Sequence, residues 1–139
     1  MSSAMLKREF ELPEEDRCEL DARHLDWETV LNGREHWLLV HHRRTPAVFN
    51  EPEVTLAVLV PVGYPVTALD MVFVCPPLTR KDGRAIAATS QRAISGAAFQ
   101  QWSRHRTAHN PWREGVDTAC TQLDLADEWF DREADGQNA

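Results

Sequence analysis

The sequence predicts an α+β domain: a four-stranded antiparallel meander with an N-terminal helix and C-terminal helices packed on one side. Three observations lead there. Four strand-like runs, residues 27–31, 34–42, 54–61 and 70–75, follow one another with no helical segment between them. Neighbours joined by such short connections pair antiparallel, because a parallel pair needs a long crossover. Asn32-Gly33 sits between the first two runs, and both residues tolerate the positive φ that a two-residue hairpin turn demands. Helical periodicity is confined to the two ends. The order is not an alternating β-α-β pattern, and no glycine-rich phosphate motif occurs, which excludes a dinucleotide-binding or phosphate-loop domain.

The elements follow in chain order. Residues 12–23, LPEEDRCELDAR, place a proline just inside a helix start and acids in the first turn, where the helix dipole favours them. The runs 27–31 and 34–42 form the hairpin. A loop with two prolines, 45–53, leads to the third strand, where Val54, Leu56, Val58 and Val60 share one face. Its other face is also largely apolar, as expected of a central strand. The turn PVGYP then leads to DMVFVC, with Met71, Phe73 and Cys75 on one face and Val72 and Val74 on the other. Pro76 and Pro77 end the ladder, since neither carries a backbone N–H.

Asp82-Gly83 marks a turn, and RAIAATSQRAIS, residues 84–95, reads as helical with Gly96 as its cap. Residues 97–102 extend that helical reading through Phe99 and Trp102, before a loop around Asn110-Pro111. Val116, Ala119, Cys120, Leu123, Ala126 and Phe130 recur at three- and four-residue steps and define a final helix over 116–131. One domain over 12–131 is expected, with an N-terminal extension, 1–11, and a polar acidic tail, 132–139.

A net charge of −7 argues against nucleic acid as the main partner, because phosphate binding needs surplus Lys and Arg. No segment approaches the ~20 apolar residues of a membrane span, and the charged start is unlike a signal peptide. The three cysteines, Cys18, Cys75 and Cys120, show no zinc or redox spacing. A reducing compartment, the cytoplasm, is the expectation. No cofactor is implied.

The chemistry-bearing stretch is Trp102 to Arg113, with two tryptophans, two histidines and three arginines. It is either a solvated loop pinned by its tryptophans or the wall of a site. His105 is the first general acid–base candidate, because imidazole titrates near neutrality, with His109 in reserve. His41 and His42 adjoin Arg43 and Arg44 and make a poor metal pair; His24 and His36 are isolated. No set of side chains has metal-ligand spacing, so no metal site is expected. Ser95 and Ser103 lack the context of a serine hydrolase. Cys75 reads two ways. It is a small apolar side chain in a core, or a nucleophile at a strand end that pairs in space with a histidine from elsewhere.

Taken together, VTLAVLVPVGYP, DMVFVCPPL, KDGR, WSRH and NPWREGVD resemble the prokaryotic ubiquitin-conjugating family E, a bacterial branch of the ubiquitin-conjugating (UBC) superfamily. The resemblance covers about residues 12–130 and implies a UBC-like fold. It also implies transthioesterification: a cysteine takes the C-terminal acyl group of a ubiquitin-like modifier from an activating enzyme and passes it to a nucleophile. The implied partners are a ubiquitin-like or multi-ubiquitin protein, an activating enzyme and a JAB-type deconjugating peptidase. The alternative is a UBC-like scaffold that binds modifier or activating enzyme without catalysis. The chain lacks the superfamily's His-Pro-Asn motif, and Cys75 lies closer behind the Tyr-Pro turn than the superfamily cysteine does. In the family E pattern, a cysteine followed by a downstream histidine, the matching positions are Cys75 as thioester nucleophile and His105 as its partner. Ser103, Arg104 and Asn110 are then possible oxyanion donors or modifier contacts.

Overall fold

The computed structural model describes residues 5–136; the first four residues of the N-terminal extension and the last three of the tail lie outside it. The elements are α1 (Glu14–Ala22), β1 (Trp27–Asn32), β2 (Glu35–Arg44), β3 (Glu53–Val60), β4 (Val72–Cys75), β5 (Thr89–Ile94), β6 (Ala97–Trp102) and α2 (Ala119–Ala134). All strands join one antiparallel sheet in the order β1-β2-β3-β4-β6-β5. The helix at 12–23, the Asn-Gly hairpin and the meander through β4 are where the sequence places them.

The sheet has six strands, not four. Residues 84–102 hold no helix; they form the β5–β6 hairpin instead. Ser95 and Gly96, at φ 49° and 82°, make its two-residue loop, so Gly96 turns a hairpin and caps no helix. The alanines of this stretch suit a helix, but β6 supplies the next hydrogen-bonding edge for β4, and sheet pairing overrides that propensity. Among the described residues, α2 is the sole C-terminal helix. It starts at Ala119, because Thr118 and Thr121 form a reciprocal cap there (Thr121 N–H to Thr118 Oγ1 3.3 Å; Thr118 N–H to Thr121 Oγ1 2.9 Å). Val116 therefore lies outside the helix and is exposed. At the other end α2 continues to Ala134, inside the stretch expected as tail.

Strand alternation sends side chains to two faces. Both helices pack on one face, where Leu38, Val40, Leu56, Val58, Val72, Val74 and Trp102 meet Leu20, Leu123, Trp129 and Phe130. The other face carries a smaller cluster of Val30, Trp37, Leu39, Ala57, Phe73, Ile94 and Phe99. No helix covers it. The sheet coils instead, and the β5–β6 hairpin folds its tip toward the β1–β2 turn. There the Ser95 N–H bonds Asn32 Oδ1 at 3.1 Å, Arg92 pairs with Glu35, and the Arg92 guanidinium lies 5.5 Å from the Trp37 ring.

Side-chain ties hold the helical layer to the turns. Tyr64 donates to Asp16 Oδ2 (2.7 Å), while Asp16 Oδ1 accepts from the Ala119 N–H (3.1 Å). One buried carboxylate of α1 thus binds the Tyr-Pro turn and the start of α2. The extension also contributes: Thr29 of β1 exchanges backbone hydrogen bonds with Lys7 and Glu9, so residues 7–9 cover the β1 edge.

Candidate functional site

The candidate residues lie along β4 and the chain leaving β6. Cys75 is the last residue of β4, on the helix-free face beside the cluster that holds Phe73. It is half-buried, and burial pushes its thiol above the ordinary value. Cys120 is fully buried in the core, its thiol pushed up to about 12 chiefly by burial, and Cys18 is exposed on α1. Pro76 and Pro77 carry no N–H, and the Leu78 N–H is committed to Gln100 Oε1 at 2.9 Å. Backbone donors next to Cys75 therefore cannot build an oxyanion hole.

His105 lies at the other end of β4. Its Nδ1 pairs with Asp70 at 2.9 and 3.1 Å from the two carboxylate oxygens, and both side chains are exposed. The register explains the separation. β6 runs antiparallel to β4 with Phe73 opposite Gln101 and Val72 opposite Trp102, so the chain after Trp102 continues past Met71 and away from Cys75. The span from Val72 to Cys75 alone is about 10 Å at the usual strand rise. The two residues matched to one chemical pair are thus held at opposite ends of one strand.

Ser103 lies two residues before His105 on the same segment. Gln101 Nε2 donates to Ser103 Oγ at 3.2 Å and reaches Met71 Sδ at 3.7 Å, which sets Ser103 beside the residue that follows Asp70. Arg104 points to the helical face instead. It is buried, donates to the Ala87 carbonyl (2.8 Å) and Glu133 Oε1 (3.2 Å), and lies 4.8 Å from the Trp102 ring. Its guanidinium is thus committed inside the helical layer, which leaves it no exposed face for the oxyanion or modifier contact expected of it. Asn110 is exposed in the following loop, where its Oδ1 accepts from Arg106 (3.3 Å). Arg106 also reaches Gln122 Oε1 (3.2 Å) and Asp117 (3.7 Å) and lies over Trp112 at 5.0 Å. His109 is exposed on the same loop.

Two polar groupings could not be read from the sequence, although His41 is singled out there. Asp70 is one; its only signal is its place before a strand whose partner leads to His105. The other is a row across the helix-free face: His41 Nδ1 meets Thr55 Oγ1 at 2.9 Å, and His41 Nε2 meets Glu28 Oε2 at 2.5 Å. Thr55 stands directly opposite Cys75 in the β3–β4 register. A bulge between Val40 and Arg43, with His42 at φ 59°, separates the paired histidines. Among the described residues, no group of three or more His, Cys, Asp or Glu is placed to hold a metal ion. Among the same residues, no helix is long and apolar enough to cross a membrane.

The model of a protein family described as prokaryotic E2 family E matches residues 12–133. The chain belongs to that family. The α+β architecture, with its antiparallel sheet and two helices, is consistent with an E2-like fold. No curated protein and no solved structure matches the chain significantly. For a prokaryotic family E member, conjugating-type transfer and interaction with a ubiquitin-like modifier and its activating enzyme follow in general terms. The Tyr64-Pro65 turn, tied through Asp16 to both helices, lies within the matched span, as do Cys75, Ser103 and His105.

Proposed function

We propose that this chain carries the C-terminal acyl group of a ubiquitin-like modifier as a thioester on Cys75 and transfers it to an acceptor. In the first step the Cys75 thiolate attacks the carbonyl of the modifier's thioester with the activating enzyme, whose cysteine leaves. In the second an acceptor amine attacks, and Cys75 leaves as thiolate. One observation carries the choice of residue: among the three cysteines, Cys75 alone sits half-buried at the rim of the helix-free face. Cys120 is sealed in the core, and Cys18 stands on an acidic helix. The partners on this reading are an activating enzyme and a single or multiple ubiquitin-like protein, with a JAB-type peptidase reversing the conjugation. On this reading the exposed His105 and Asn110 contact the modifier or acceptor.

A second reading rests on the Asp70–His105 pair. A carboxylate holding one imidazole nitrogen orients the other for general-base work, and Ser103 is a hydroxyl on the same segment. On that reading Ser103 holds the acyl group as an oxyester. Incubation with the cognate activating enzyme, modifier and MgATP separates the two. The thioester reading expects an adduct cleaved by thiol, absent in Cys75→Ala and thiol-resistant in Cys75→Ser. The oxyester reading expects a thiol-resistant, hydroxylamine-sensitive adduct lost in Ser103→Ala. Unimpaired conjugation in both alanine variants leaves the non-catalytic scaffold.

A further inference from the structure

The hydrogen-bonded row Glu28–His41–Thr55 ends at the β3 position that faces Cys75 in the strand register. Position 55 lies on the half-buried face of a central strand, where a valine would pack as well. His41 is likewise a strand residue on a face otherwise given to Trp37 and Leu39. The three polar side chains nevertheless line up across β1, β2 and β3, each bonded to the next, and the register brings the last one against the cysteine. Directly opposed residues of an antiparallel pair hold their Cβ atoms about 5 Å apart. Thr55 and Cys75 therefore stand side by side on one face, near enough for a rotamer change to bring hydroxyl and thiol together.

The thiol needs such help. Burial raises it above its ordinary value, and His105 is committed to Asp70 at the other end of the strand. We infer that Thr55 and His41, with Glu28 behind them, relay the Cys75 proton when the thiol becomes a nucleophile. The Cys75 S–H proton passes to Thr55 Oγ1 as the Thr55 hydroxyl proton passes to His41 Nδ1. Sulfur keeps the bonding pair, threonine ends neutral, and His41 becomes an imidazolium whose Nε2–H is held by the Glu28 carboxylate. No co-reactant is consumed.

The charges around His41 fit this role. Burial opposes ionisation of Glu28, but the Lys7 N–H (3.1 Å) and the His41 ring outweigh it, so the carboxyl stays below its ordinary value and is charged at neutral pH. His42, whose ring centre is 6.1 Å from that of His41, is itself occupied by Glu53 (3.2 Å) and Asp26 (3.6 Å). The nearest carboxylate available to a protonated His41 is Glu28. On this reading Thr55 takes the proton of the reacting sulfur and is catalytic, whereas His41 and Glu28 act through it and are positioning residues.

The inference rests on Cys75 being the nucleophile, yet its test needs neither modifier nor activating enzyme. Iodoacetamide alkylation of Cys75 is followed against pH by mass spectrometry of its peptide in a Cys18→Ser background. The parent protein keeps reactivity through the neutral range. Thr55→Val, an isosteric change that suits a strand, lowers the neutral rate by about a hundredfold, the low end of what a positioned acid–base group contributes. It also displaces the profile toward alkaline pH. His41→Gln does the same, and Thr55→Ser restores the parent profile. A parent-like profile in both Thr55→Val and His41→Gln overturns the relay, as does a Thr55→Ser profile no better than that of Thr55→Val. Failure of the carrier reading registers separately, as absence of a Cys75 adduct in the conjugation assay.

Discussion

At the scale of single residues, polarity proves a poor guide to position in this chain. Arg104 belongs to the WSRH segment that marks the family resemblance, yet its guanidinium is buried between Glu133, the Ala87 carbonyl and the Trp102 ring. Removing a buried charge from such a pair strands its partner. Glu133 keeps Arg80 at 3.4 Å, so Arg104→Met is expected to cost about 3 kcal/mol, the low end for a broken buried pair. Urea denaturation checks this. Arg106→Ala, one side-chain step away, frees Asp117 and Gln122 but leaves Arg113 on Asp117, and a smaller loss is expected. Equal losses would remove the distinction drawn between the buried and the loop arginine.

At the scale of elements, most of the first half was legible. Hydrophobic alternation and Asn-Gly gave β1 to β4, and proline with a first acidic turn gave α1, because these signals are local. The β5–β6 hairpin was not legible. Its alanines favour a helix locally, and its pairing partner β4 lies more than a dozen residues upstream. Its loop is testable: Gly96 sits at φ 82° with nothing within 4 Å of where a Cβ would lie. Gly96→Ala therefore meets no clash and pays only for left-handed backbone, about 1–2 kcal/mol by thermal or urea unfolding. A neutral outcome would mean that the loop takes another conformation. Thr118→Ala removes half of the reciprocal cap of α2 and is expected to cost about 1 kcal/mol, with helical content otherwise retained by circular dichroism.

At the scale of the whole molecule, charge pairing sets the response to acid. Arg92 holds the Glu35 carboxyl below the ordinary range, and Arg80 does the same for Asp82. For Asp117 burial opposes ionisation, but the Arg113 N–H and the Arg106 charge outweigh it and lower the carboxyl. Groups lowered on folding stabilise fully above the unfolded carboxylate value, near pH 4, and lose that contribution as pH falls through their folded values. Asp16 and Asp127, raised chiefly by burial, act in the opposite sense. The lowered group, with Glu28, outnumbers them, so the urea midpoint is expected to fall as pH drops below about 4. Asp117→Asn should flatten that decline, and an unchanged acid slope would show that Asp117 titrates alike in both states.

The sequence by itself determined the helix–meander–helix order, the family and the residues worth watching, because these depend on local periodicity, turn chemistry and short motifs. Only the tertiary structure decided which of those residues meet. Strand register, a property of two chain segments at once, carried His105 to Asp70 and away from Cys75. The same kind of pairing set Thr55 opposite Cys75 and put His41 within reach of Thr55, across strands that no spacing in the sequence relates. Pairing with β4 likewise made a hairpin of residues that read locally as a helix, and coiling of the sheet carried its tip toward the β1–β2 turn. Local signals state what each segment can be; pairing between distant segments states what each side chain faces.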